Sequence, residues 1–145
     1  MSIERLLSIF AARNGLTPPT ARSDGSYVLV FDGRYKLAFV AEGASSAVVR
    51  SPAGELPEDG VGRREALERL LDAATARMSK GGEILTVEEG ERRLFLYRRF
   101  VTDIQPHVFE ALLTSFVNSL AFWRRMAGKA GSQPVMQMPF QMMFR

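Results

Sequence analysis

The 145-residue sequence contains no cysteine and a single histidine, His107. Without cysteine the chain has no disulfide framework, no thiolate zinc site and no cysteine nucleophile, which fits a reducing compartment. One histidine leaves few ligands for a metal, so no metal site is expected. The amino terminus lacks the basic start, the apolar stretch and the cleavage site of a secretory signal, which predicts a cytoplasmic protein.

Long apolar runs are also lacking, because no run reaches the roughly 18 to 20 residues that span a bilayer. Five polar residues interrupt the most hydrophobic segment, 108–123: Glu110, Thr114, Ser115, Asn118 and Ser119. Membrane insertion is therefore not expected.

Acidic residues are absent from the last 35 positions, and this absence explains the net charge of +3. Residues 1–110 hold 15 basic and 16 acidic side chains, whereas residues 111–145 hold four basic side chains and no acidic one. A near-neutral body does not favour nucleic-acid binding. The arginine doublets 92–93 and 98–99 do not change this, because alternation along a strand divides them between two faces. No nucleic-acid partner is expected.

Motifs of catalysis are missing as well. The chain has neither a GxxxxGK[ST] phosphate loop nor a G-x-S-x-G nucleophile turn. Gly60-Val61-Gly62 and Gly81-Gly82 are typical of turns and helix ends. His107 follows Pro106 at the start of a predicted helix, which indicates a surface or capping role. The acidic pair Glu88-Glu89 falls in a predicted turn, so we assign no general acid or base and predict that the protein is not an enzyme.

Apolar residues at helical spacing are present in three segments. The first helix is predicted over residues 2–14, with Ser2 as its N-cap and Gly15 as its stop. The second is predicted over 63–78, with a narrow apolar stripe. The third, from about 109 to 126, has the widest apolar face.

Five strands are predicted between these helices. Residues 26–31 and 34–40 form a hairpin around Asp32-Gly33, which suits the positive φ angles of a two-residue turn. A short third strand covers 47–50, followed by a loop that contains Pro52 and Gly54. Residues 83–87 and 93–101 form a second hairpin.

The order α-β-β-β-α-β-β-α predicts an α+β fold, an antiparallel twisted sheet of about five strands flanked by three helices. Residues 1–126 are interpreted as a single domain and residues 127–145 as a carboxyl-terminal extension that contains methionine, proline and glutamine.

The element order, the length and two local motifs resemble the class I type III secretion chaperones of the Tir-chaperone (CesT-like) family. The motifs are Leu29-Val30-Phe31-Asp32-Gly33, which leads into the second strand, and the strand 94–98, which leads into the helix that starts near Val108. The resemblance covers about residues 3–126. It implies a cytoplasmic bacterial homodimer that binds the amino-terminal region of a secreted effector in an extended, non-globular, export-competent form.

The resemblance also implies binding residues. The effector is expected to contact the first helix and the sheet at Leu6, Phe10, Val28, Val30, Leu37 and Phe39. The second helix is expected to form the dimer interface through Leu67, Leu70, Leu71, Ala74 and Met78. Contact with components of the secretion apparatus is a further expectation.

The carboxyl-terminal extension lies outside the resemblance and carries four of the seven methionines. Methionine fills irregular apolar grooves, so the extension is expected to dock on its own or a neighbouring molecule. The residues proposed for this contact are Met136, Met138, Phe140, Met142, Met143 and Phe144. The alternative, a mobile tail that orders only through packing, is left open. A second interpretation of the whole chain is also left open: a small α+β regulatory or adaptor module that binds proteins and is unrelated to secretion.

Overall fold

A computed structural model describes residues 1–58, 60–77, 82–88 and 92–128. Its helices are α1 (Ile3–Arg13), α2 (Gly60–Arg77) and α3 (Pro106–Ala127). Its strands are β1 (Tyr27–Phe31), β2 (Tyr35–Glu42), β3 (Ser46–Glu55), β4 (Glu83–Val87) and β5 (Arg93–Val101). They form one antiparallel sheet in the order β1-β2-β3-β5-β4, which confirms the predicted α+β fold.

Helix α1 begins and ends where its sequence signals lie. The Ser2 hydroxyl accepts a hydrogen bond from the Arg5 amide at 3.2 Å, as an N-cap residue does. Gly15 follows the helix with φ +68°. The predicted cap and the predicted stop are both confirmed.

The first hairpin turn contains three residues, so the predicted two-residue turn is wrong. Phe31 pairs with Tyr35, which leaves Asp32, Gly33 and Arg34 in the turn. Asp32 and Gly33 have the expected positive φ, +54° and +65°. The extra residue sets buried Phe31 opposite buried Tyr35, whereas a two-residue turn would set it opposite exposed Arg34.

Strand β3 is ten residues long, so the prediction of a short strand followed by a loop is also wrong. Pairing with β2 ends at Ala38–Arg50, before Pro52. Pairing with β5 continues to Glu55 across a bulge between Pro52 and Gly54. Proline and glycine therefore mark a bulge within this strand and not its end.

The buried face of the sheet packs against α1 and α3. Phe109 of α3 lies at the centre of an aromatic cluster, with ring centroids 5.6 Å from Phe10, 6.2 Å from Phe39 and 5.6 Å from Phe100. At the surface, the Arg13 guanidinium lies 2.8 Å from the Glu110 carboxylate and joins the two helices. That hydrogen bond raises the pKa of Arg13.

The carboxyl-terminal end of α3 contacts β2, β3 and the turn between β1 and β2. Arg124 donates hydrogen bonds to the carbonyl oxygens of Pro52 (3.1 Å) and Arg34 (2.9 Å), and its guanidinium lies 4.9 Å from the centroid of the Tyr35 ring. Burial lowers the pKa of Arg124. Helix α2 packs on the flank of α3 and buries Ala66 and Leu70. None of the helices in the described ranges has both the length and the apolar character of a bilayer span.

Candidate protein-binding surfaces

The six residues predicted to contact an effector divide between the core and the surface. Leu6, Phe10, Leu37 and Phe39 are 1% exposed or less and belong to the hydrophobic core. Val28 is half-buried and Val30 is 49% exposed. Four of the six side chains are therefore unavailable for docking in this structure, and only the two valines of β1 lie where a partner could reach them.

The core residues and the two valines lie on opposite faces because strands alternate. Val28 pairs with Ala38, Ala38 with Arg50, Arg50 with Tyr97, and Tyr97 with Ile84. This row crosses all five strands on the face that points away from α1 and α3. We call this face, which also carries Val30, Val40 and Val48, the open sheet face.

Exposed apolar side chains are present on the open sheet face. Val30 is 49%, Val40 is 39% and Ile84 is 63% exposed. Apolar side chains outside a core mark a surface that can bury them against a partner. The open sheet face therefore offers side-chain contacts at both edge strands and in β2.

Arginines cover the aromatic residues of this face. The Arg50 guanidinium lies 4.5 Å from the ring centroid of Phe95 and 5.6 Å from that of Tyr97, and Arg93 lies 5.5 Å from the centroid of Phe95. Phe95 is buried on this face. Arg50 also lies 3.6 Å from the carboxylate of Glu88. The predicted division of the arginines in β5 between two faces agrees with the strand register, in which Arg98 pairs with Glu83 on the core side.

Helix α2 buries only part of its apolar stripe. Leu70 is buried and Leu67 and Ala74 are half-buried, whereas Leu71 is 65% exposed. Met78 lies outside the described residues. The structure thus brings four of the five predicted interface residues onto one helix and leaves Leu71 uncovered.

A groove runs between the end of α2 and the outer side of α3. Its volume is about 610 Å³. Arg77 from α2 and Arg125 from α3 both lie over the ring of Phe122, at 4.1 Å and 5.7 Å from its centroid. The rest of the groove is lined by residues of α3: Ala111, Thr114, Ser115, Asn118 and Ser119.

Four of these lining residues, Thr114, Ser115, Asn118 and Ser119, appeared in the sequence only as interruptions of an apolar segment. Their i, i+4 spacing places them on one side of α3, and this spacing was the available signal for a polar helix face. Arg125 lies three residues after Phe122 on α3, whereas the stacking of Arg77 on Phe122 had no such signal, because Arg77 comes from a different helix. The same holds for Arg50, which contacts Phe95 only because β3 pairs with β5.

Several predictions fall on residues that the structure does not describe. These are the proposed tail contacts of Met136, Met138, Phe140, Met142, Met143 and Phe144. Part of the turn between β4 and β5 also lies outside the described residues.

Comparison with known proteins identifies one family. Residues 5–124 match the family model of the Tir chaperone protein (CesT) family. A search of curated proteins gave no significant match.

Solved structures with a similar fold come from chaperone complexes. The structure of the ExsC–ExsE complex aligns with a TM-score of 0.68 at 21% identity and covers 88% of this chain and 95% of that one. The Yersinia pestis type III secretion chaperone SycH, bound to a stable fragment of YscM2, aligns with a TM-score of 0.61 at 16% identity, over 83% of this chain and 98% of that one. The HopA1–SchA chaperone–effector complex aligns with a TM-score of 0.64 at 14% identity and covers 83% of this chain and 91% of that one. At these identities the likeness is one of fold.

Proposed function

This chain belongs to the Tir chaperone protein (CesT) family, and from this premise we propose that it holds the amino-terminal region of a secreted effector in an extended, non-globular form until export. Its function is that of a type III secretion chaperone that binds effectors. The observation that carries this function is the family match, which spans almost every helix and strand of the described structure. The extended form of the bound segment is a further part of the proposal.

The open sheet face supports binding of an extended segment. It crosses five strands on the side of the sheet opposite α1 and α3 and exposes Val30, Val40 and Ile84. A segment that has not folded can bury its own apolar side chains against such a face, at roughly 25 cal/mol per Å² of apolar area removed from water. The outer edges of β1 and β4 also offer backbone groups for strand addition. In this proposal Val28 and Val30 contact the effector, and the four core residues support the sheet from behind.

A homodimer formed through α2 is part of the proposal. Leu71 is 65% exposed on a helix that buries only Ala66 and Leu70. A second copy of the chain would cover Leu71 together with Leu67 and Ala74. Contact with secretion-apparatus components, a cytoplasmic location and action without catalysis or a cofactor follow from the family as further parts of the proposal.

Co-purification with effector fragments tests the proposed function. The chaperone is expressed with the amino-terminal region of a candidate effector encoded near its gene, and the complex is then digested with a protease. We expect a protected effector segment that remains sensitive to proteolysis when the chaperone is omitted. Failure of the amino-terminal regions to co-purify, with binding to folded proteins instead, would favour an adaptor module unrelated to secretion.

A further inference from the structure

The groove between α2 and α3 has the chemistry of a site for an anionic group. Arg77 and Arg125 lie over the same ring, that of Phe122, and neither forms an ion pair with a described residue. None of the described residues that line the groove is acidic. Two guanidinium groups at 4.1 Å and 5.7 Å from one ring centroid place positive charge at this end of the groove, which favours a carboxylate there. Their planar N–H groups form no hydrogen bond with a described residue and can pair with a carboxylate.

The length of the groove favours an extended polypeptide over a small anion. The groove follows α3 from Ala111 to Arg125, a distance of about 21 Å at 1.5 Å per residue. An extended chain rises about 3.3 Å per residue, so about six residues fit this length. A free phosphate or a single carboxylate would occupy only the end beside Phe122.

Uncharged polar side chains are available along the rest of the groove. Ser115 is exposed and Asn118 is half-buried, and neither side chain forms a hydrogen bond with a described residue. Thr114 bonds to the carbonyl oxygen of Glu110 within its own helix, and Ser119 donates to the Glu83 carboxylate. Ser115 and Asn118 can therefore form hydrogen bonds to the backbone of a bound segment. Because every residue has such backbone groups, these bonds do not depend on the sequence of the segment.

We propose that the α2–α3 groove binds an extended stretch of about six effector residues, with an acidic side chain of that stretch bound by Arg77 and Arg125 at the Phe122 end of the groove. This inference rests on the proposed function, because it assigns part of the effector to a second surface besides the open sheet face. The carboxyl-terminal extension is a poorer occupant, because residues 129–145 contain no aspartate or glutamate. The groove therefore favours effectors whose bound segment contains an acidic residue.

Labelled peptides test the groove directly. The probe is a fluorescein-labelled extended peptide of threonine, serine and valine that ends in two glutamates, and its partner carries two glutamines instead. We expect the full chain to bind the glutamate peptide about tenfold more tightly by fluorescence anisotropy, as one charge-assisted contact would give. The preference should shrink as salt is raised, because the groove is open to solvent.

Charge reversal makes the test specific. In the double variant Arg77→Glu, Arg125→Glu, the preference should invert, so that a lysine version of the peptide binds more tightly than the glutamate version. The matched control, Arg5→Glu with Arg22→Glu, makes the same change in net charge away from the groove and should keep the wild-type preference. Circular dichroism and sedimentation check that both variants retain the fold and the oligomeric state of the wild type.

Several outcomes would overturn the proposal. Equal affinity of the wild type for the two peptides, or an unchanged preference after charge reversal, removes the acidic site. A variant that changes the oligomeric state assigns the groove to a second copy of the chain, and a tenfold gain in peptide affinity on deletion of residues 129–145 assigns it to the extension. An oligonucleotide that displaces the glutamate peptide at equal concentration would assign it to nucleic acid. In each of these cases effector co-purification decides the proposed function separately, since that assay does not depend on a charge preference.

Discussion

Gly54 allows α3 to approach β3 closely. It has φ +141°, and a Cβ atom added there would lie 2.8 Å from the Cβ of Ala127. A side chain at this position must therefore adopt an unfavourable backbone conformation and also push the helix away from the strand.

Replacement of Gly54 by alanine should destabilise the fold by about 2–4 kcal/mol, because backbone strain and the clash with Ala127 add. Gly43→Ala is the matched control: Gly43 has φ +75°, but nothing lies within 4 Å of its added Cβ. Urea unfolding followed by circular dichroism measures both variants. Equal losses in the two variants would mean that the contact with Ala127 contributes nothing.

Asp24 shapes the turn before β1. Its carboxylate accepts hydrogen bonds from the Ser26 hydroxyl at 2.6 Å and from the Ser26 amide at 3.0 Å. These bonds lower the pKa of Asp24 below its ordinary value of 3.8. The folded state therefore binds this proton more weakly than the unfolded state does.

This difference predicts how the stability contributed by Asp24 depends on pH. The contribution is fully present above the ordinary pKa and is lost as the pH falls through the lowered folded-state pKa. Asp24→Asn should therefore be less stable than the wild type at about pH 6, and the gap should narrow at about pH 2.5. Urea unfolding at both pH values measures the gap, with the exposed Asp103→Asn as control. A gap that stays constant with pH would show that the hydrogen bonds do not favour the charged form.

At the scale of the elements, helix α2 buries only two of its 18 residues, Ala66 and Leu70. Leu70 points into the core and is 4% exposed, whereas the adjacent Leu71 is 65% exposed. A substitution at Leu70 therefore tests folding, whereas a substitution at Leu71 tests association.

Leu71→Asp should convert the proposed dimer to a monomer while leaving the chain folded, because the new charge would be buried only at an interface. Leu70→Asp should instead prevent folding. Val61→Asp, on an exposed residue of the same helix, serves as the control for charge. Sedimentation at micromolar concentration measures the state of each variant. A wild-type monomer would contradict the dimer itself, and a dimer of Leu71→Asp would place the interface elsewhere.

At the scale of the whole molecule, the sheet separates a face that forms the core from the face that we propose for effector binding. The aromatic cluster around Phe109 fills one face, and the other carries exposed apolar side chains beside arginines stacked on Phe95. Substitution of Phe10 or Phe39 should therefore change the stability of the fold, whereas substitution of an exposed residue such as Val30 should change binding.

Val30→Asp should weaken effector binding about fivefold or more, because it replaces roughly 1 kcal/mol of apolar burial with a charge. The unfolding midpoint should change little, since Val30 is 49% exposed. Titration of the co-purified effector fragment, by calorimetry, measures the affinity. Val108→Asp is the control, an exposed valine on α3 away from the open sheet face. Unchanged binding by Val30→Asp would remove β1 from the effector site.

Local sequence signals accounted for most of the elements. The bounds of β4 and β5 match the predicted 83–87 and 93–101, and the Ser2 cap and the Asp32-Gly33 turn lie where they were expected. The errors lay in β3 and in the length of the first turn. The length of β3 and the length of the turn both depend on how strands pair. The residues next to Pro52 or Arg34 do not determine this pairing by themselves.

The sequence by itself determined the α+β order, the apolar faces of the helices and the resemblance to the secretion chaperones, because periodicity, caps and turns act over a few neighbouring residues. Only the tertiary structure decided which apolar residues are covered. Phe39 and Val40 are adjacent in β2 and both are apolar. Phe39 is buried beneath α3, whereas Val40 lies on the open sheet face. The contact of Arg77 with the Phe122 ring likewise exists only because packing brings α2 beside α3. Burial and long-range contact depend on how elements meet, and that is a property of the folded chain.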